Sequence, residues 1–153
     1  MNQLSQKLTS CFSDEQGIIA VFLFGSYAVN KQNPTSDIDI GIILDAETIA
    51  PEQYSQIRNR FLVKLSRTLR KEIHLVILNT AGEGLLDQVL RKGICIMKND
   101  QKKLSLFYAQ MMLRIFDFSY HKNIMQTGFV RNLLPESCTG RRLSQARRPS
   151  VKS

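Results

Sequence analysis

Seven consecutive apolar residues, Ile18 to Phe24 (IIAVFLF), run into Gly25-Ser26 and stop. The run is short, rich in β-branched and aromatic residues, and cut off by glycine, so it reads as a buried strand. Two further runs have the same character. Asp37 to Leu44 (DIDIGIIL) alternates in its first half and is wholly apolar afterwards, which suits a second central strand. Glu72 to Leu78 (EIHLVIL) reads as a third, and Ile94 to Met97 as a short fourth. Between them lie helical patterns. Residues 2–13 place Leu4, Leu8, Cys11 and Phe12 at helical spacing, and residues 51–70 form a long amphipathic helix with Pro51 in its first turn. Residues 83–92 form a helix stopped by Gly93, and a last helix covers roughly 100–127. Strands separated by helices predict an α/β arrangement, a small mixed sheet with helices packed on it.

Composition narrows the class. The chain has 153 residues, 43% hydrophobic and 22% charged, which is globular and about one domain in size. No apolar run approaches the roughly 20 residues of a membrane span, and the N-terminus lacks the pattern of a secretory signal. Three widely spaced cysteines, Cys11, Cys95 and Cys138, give no disulfide framework or zinc pattern, so a cytoplasmic protein is expected. The formal charge is +8, but residues 131–153 hold six basic side chains against one acidic. The expected organisation is therefore a domain over 1–130 and a basic, disordered tail over 131–153. Nucleic acid is not an expected partner except through that tail.

Chemistry concentrates in residues 18–39. A buried strand ends at Gly25-Ser26 and runs into the start of a short helix over 26–31. Glycine admits close approach of a ligand, and the unpartnered amides of a helix start suit phosphate. Ser26 adds a hydroxyl donor. Asn33-Pro34-Thr35-Ser36 is turn chemistry that makes the return compact. Asp37 and Asp39 follow, separated by Ile38. Residues i and i+2 of a strand share a face, and two neighbouring carboxylates repel unless a cation lies between them. Hard divalent ions such as Mg²⁺ take carboxylate and phosphate oxygens. The combination looks like a site for a metal-bound triphosphate.

Gly25-Ser26, ten residues, then Asp37-Ile38-Asp39 match the signature of the polymerase-β-like nucleotidyltransferase superfamily. The fuller run FLFGSYAVNKQNPTSDIDIGIIL, and HLVILNTAGEGLLDQVLRKGICIM at 74–97, resemble the minimal nucleotidyltransferases (MNT), the antitoxins of HEPN–MNT toxin–antitoxin modules. The resemblance covers roughly residues 10–127 and implies a polymerase-β-like fold. It implies nucleotide binding by Gly25 and Ser26, Mg²⁺ held by Asp37 and Asp39, and ATP as substrate. The implied activity is transfer of AMP to a hydroxyl, of tyrosine by preference, on a cognate HEPN ribonuclease toxin held in a hetero-oligomer. A non-catalytic antitoxin that acts by binding, or a small-molecule nucleotidyltransferase of the aminoglycoside-modifying kind, are the alternatives. Many members carry a third carboxylate on the next strand. Here His74 stands at that position, with Glu72 two residues earlier, and either Glu72 or His74 is the candidate replacement. Arg114 and His121 match the spacing of an Arg–His ribonuclease motif, which we read as coincidence. The last helix carries Leu104, Phe107, Tyr108, Met111, Met112, Ile115, Phe116 and Phe118, a stripe wider than one side of a small sheet requires, and part of it suits a partner.

Overall fold

A computed structural model describes residues 2–133. The first helix is α1 (Asn2–Phe12), followed by strands β1 (Ile18–Phe24) and β2 (Ile38–Leu44). Helix α2 (Tyr54–Leu69), entered through a 3-10 turn at Pro51–Gln53, leads to β3 (Ile73–Ile77). Helix α3 (Glu83–Lys92), β4 (Ile94–Lys98) and α4 (Gln101–Leu133) complete the order. The four strands form one mixed sheet in the order β3-β2-β1-β4. β1 is antiparallel to both of its neighbours, and β2 runs parallel to β3 through the α2 crossover. The two strands expected at the centre are at the centre. Met1–Asp117 makes one unit and Phe118–Ser153 a second, the described part of the latter being the C-terminal half of α4.

Both faces of the sheet are apolar, as the uninterrupted run in β1 requires. On one face Val21, Leu23, Ile38, Ile40 and Ile42 meet α1 and α2 through residues that include Leu8, Phe12, Phe61 and Leu65. On the other, Phe22, Phe24 and Ile43 meet Leu86 and Val89 of α3 and Leu104, Phe107, Met111 and Ile115 of α4. Burying a large apolar side chain contributes about 1.5–3 kcal/mol, so these two layers hold the sheet between its helices. A register shift between Ile18 and Ala20 lets Ile18 and Ile19 break the alternation of the rest of β1, each still buried on its own face. Of the wide stripe on α4, Tyr108 and Met112 are half-buried, while Phe116 and Phe118 are exposed. The helix also ends later than the periodicity predicts, at Leu133. Residues 134–153, most of the basic tail, lie outside the described residues.

The end of β2 away from Gly25 is closed by side chains. β3 stops at Ile77, which pairs with Ile42, two register positions short of Leu44. Asn79 takes the missing place: its Nδ2 donates to the Leu44 carbonyl at 2.7 Å, and its Oδ1 accepts from the Leu44 amide at 2.8 Å. Just beyond, Lys103 Nζ donates to Asp45 Oδ2 and Glu47 Oε2, each at 2.7 Å. The Asp45 and Glu47 carboxylates raise the Lys103 ammonium above its ordinary value, and the Lys103 hydrogen bond lowers Asp45. Leu44 is buried, so Asn79→Ala strands one donor and one acceptor. An unsatisfied buried group costs about 1–3 kcal/mol. Urea denaturation should therefore show a loss of about 2–4 kcal/mol for Asn79→Ala, and Asn79→Asp, which sets a carboxylate oxygen against the Leu44 carbonyl, should not restore it.

Candidate active site

At the end of β1 the backbone of Gly25 enters the left-handed region, with φ of 66°. Residues with a β-carbon pay roughly 1–2 kcal/mol there. The chain then makes a single 3-10 turn, Gly25–Tyr27, rather than the helix expected over 26–31. Tyr27 turns inward and is buried, Lys31 N donates to the Ser26 carbonyl at 2.9 Å, and Asn30 is itself left-handed, with φ of 55°, which ends any helical path. One turn has no appreciable macrodipole, so the electrostatic part of the phosphate argument weakens. The turn's amides and the half-buried Ser26 remain. The return loop closes as the turn residues predict, with Ser36 N donating to the Asn33 carbonyl and Asn33 N donating to Ser36 Oγ.

The strand register explains the spacing between glycine and aspartate. Phe24 lies opposite Asp39 across the β1–β2 ladder, so the residue after Phe24 sits against the Asp39 side chain. A β-carbon on Gly25 would lie 2.0 Å from Asp39 Oδ2 and 2.9 Å from its Cγ. Glycine is favoured twice over, by φ and by this carboxylate, which would have to turn aside for a β-carbon. On its other side Asp39 is paired in register with His74 of β3, and His74 Nδ1 stands 3.2 Å from Asp39 Oδ1. A carboxylate only accepts, so Nδ1 carries the proton of this contact. Gly25, Asp39 and His74 therefore meet on three adjacent chain segments.

The other two candidates are placed differently. Asp37 precedes β2, which begins at Ile38 and not at Asp37, and its side chain is exposed. Glu72 likewise lies just before β3; its carbonyl accepts from Ile38 N at 3.0 Å, and its side chain is exposed. Among the described residues no three metal-binding side chains cluster. The set still fits Mg²⁺, which commonly takes one or two carboxylates and completes its shell with substrate phosphates and water. The Asp39 carboxylate is 25% exposed and that of Asp37 is exposed, and carboxylate oxygens are of the hard kind this ion selects.

Sequence reasoning missed the brace behind the turn. Lys71 Nζ donates to Tyr27 Oη at 2.6 Å and to the Pro34 carbonyl at 3.2 Å, joining the 3-10 turn and the return loop to the start of β3. A lysine beside a strand start gives no signal for this in the sequence. Arg114 is committed to Glu83 at 2.6 Å, and His121 meets the Tyr120 ring edge-on. The contact at Gly25 yields a measurement. Gly25→Ala should destabilise by more than about 1–2 kcal/mol, since the methyl group both strains φ and displaces Asp39. In a double-mutant cycle with Asp39→Ala, read by urea denaturation, the paired change should cost less than the sum of the single changes.

The sequence profile of the polymerase beta nucleotidyltransferase family matches residues 6–102. No curated protein sequence matches the chain. Among solved structures, the chain is similar to one of a toxin–antitoxin with AMP-PNP, at 23% identity and a TM-score of 0.64, covering 86% of this chain and 98% of the other. It is also similar to a chain in a rebuilt structure of a tri-AMPylated Shewanella oneidensis HEPN toxin in complex with MNT antitoxin. There the identity is 23% and the TM-score 0.60, covering 88% of this chain and all of the other. A third, of the toxin–antitoxin MntA–HepT, stands at 20% and 0.60 with the same coverage. At these identities the likeness is one of fold. The family profile spans well over half the chain and takes in the Gly25 turn, Asp37, Asp39 and His74, so the chain belongs to the polymerase β nucleotidyltransferase family.

Proposed function

We propose that the protein is an antitoxin that transfers AMP from ATP to a tyrosine hydroxyl of a cognate HEPN ribonuclease toxin. The observation that carries the reading is the meeting of the Gly25 turn, Asp39 and His74 at one point of the sheet. The solved structures similar in fold support the choice of nucleotide and partner, since one is described with AMP-PNP and another with an AMPylated HEPN toxin. Ser26 and the amides of the 3-10 turn bind the nucleotide phosphates. Asp37 and Asp39 would hold Mg²⁺, which supplies charge neutralisation on the phosphate oxygens when bound.

His74 is the better candidate of the two residues near the vacant third carboxylate position. With Nδ1–H given to Asp39, Nε2 is the ring nitrogen whose lone pair can take a proton. The hydroxyl proton passes to that nitrogen as the tyrosine oxygen attacks the α-phosphorus. The new O–P bond forms, the bond from the α-phosphorus to the bridging oxygen breaks, and pyrophosphate leaves with the electron pair. AMP on the toxin adds bulk and negative charge, which repels RNA. Occlusion without transfer is the second reading, and it draws on Leu106, Leu113 and Phe116, which stand exposed on α4.

Intact mass of the HEPN partner after incubation with this protein, ATP and Mg²⁺ reads the reaction directly. Asp37→Asn and Asp39→Asn should each lower transfer by about 10²-fold or more. His74→Ala should cost about 10²-fold, the lower end for a lost general base, while Glu72→Gln stays within about threefold. A wild-type protein that silences the toxin stoichiometrically and adds no mass would leave the occlusion reading in place of this one.

A further inference from the structure

β3 is an edge strand, and its edge is open. In the β2–β3 ladder Ile38 N donates to the Glu72 carbonyl, so the main-chain groups of Glu72, His74 and Val76 face β2. Those of Ile73, Leu75 and Ile77 alternate with them and face away from the sheet. Among the described residues no strand pairs with them. The opposite edge is treated differently: β4 pairs with a register shift and ends on Lys98, both of which discourage a further strand. β3 has no proline, no lysine and no break in register over its five residues. An open groove of about 400 Å³ runs along it, with Ser55 and Arg58 of α2 on the far wall and His74 in its lining.

We infer that this edge is the docking strip for the acceptor: an extended segment of the partner protein adds to the sheet along Ile73, Leu75 and Ile77 and so carries its hydroxyl residue to His74. The inference rests on the function proposed above and specifies how its substrate is held. Strand addition uses main-chain groups for affinity and alternate side chains for specificity. A residue directly across from His74 in the added strand has its β-carbon about 5 Å from that of His74, on the same face. That face is the one on which His74 reaches Asp39. Residues one position away project to the other face, toward α2, where the Arg58 guanidinium favours an acidic side chain or a carbonyl. The groove is continuous with the candidate active site through His74, which is why the occupant is the acceptor and not an unrelated peptide.

Amide hydrogen exchange resolved by NMR on the full-length protein, alone and saturated with the HEPN partner, tests the docking strip. The amides of Ile73, Leu75 and Ile77 should exchange readily in the free protein and slow by about tenfold or more in the complex. Arg58→Glu should raise the KM for the partner about tenfold and leave the KM for ATP unchanged. Protection confined to Leu106–Phe116 of α4, with the β3 amides unaffected, overturns the proposal. So does slow exchange of the β3 amides in a self-associated free protein, which would make a second copy of the chain the occupant. Absence of AMP transfer by the wild type overturns the function proposed above, whereas docking is decided by the β3 amides alone.

Discussion

The contact between the α-carbon of Gly25 and the Asp39 carboxylate is the constraint around which the site is arranged. A side chain at position 25 would occupy the space of Asp39 Oδ2. Removing it lets the chain leave β1 tightly and lets a carboxylate from the neighbouring strand lie beside the turn that follows. The antiparallel pairing of Phe24 with Asp39 fixes the two at the same height, and the parallel pairing of Asp39 with His74 adds the third member. No long side chain has to reach. The sheet's own spacing of under 5 Å between strands delivers all three groups.

Two apolar layers make that spacing rigid. Ile38, Ile40 and Ile42 of β2 are fully buried against the α1–α2 side, while the opposite face of the same strand carries Asp39, Gly41 and Ile43. Gly41 leaves room for Leu78, whose methyl carbons would stand 3.0 Å from any β-carbon placed there. The strand thus uses one face wholly for packing and divides the other between a polar end and an apolar end. Substitution at Gly41 crowds Leu78, and substitution at Asp39 alters the site with little effect on packing.

Much of this was legible in the sequence because the signals are local. The apolar run 18–24 ends at Gly25, the Asn33–Ser36 turn has its own residues, and the three long helices show their periodicity. What failed was also local in kind. A helix over 26–31 requires Asn30 to stay right-handed, and a strand beginning at Asp37 requires a ladder partner that only Ile38 has. The contact of His74 with Asp39 spans 35 residues, that of Asn79 with Leu44 another 35, and that of Lys103 with Asp45 spans 58. Such pairs depend on register and crossover geometry, for which one sequence carries no period. The family resemblance placed His74 in the site by analogy, and its hydrogen-bonding partner became visible only with the sheet assembled.

Strand β2 is paired on both sides from Asp39 to Ile42, and beyond the end of β3 its last residue is held by Asn79. Local opening of a protein proceeds from segments with few buried contacts and unpaired backbone, and such a strand has neither. The carboxylate of Asp39 therefore rides on a strand held from both sides, while His74 stands on the edge strand, held from one. The site is thus braced unevenly: local opening of the edge strand would carry His74 away from Asp39 while leaving Gly25 and Asp39 together.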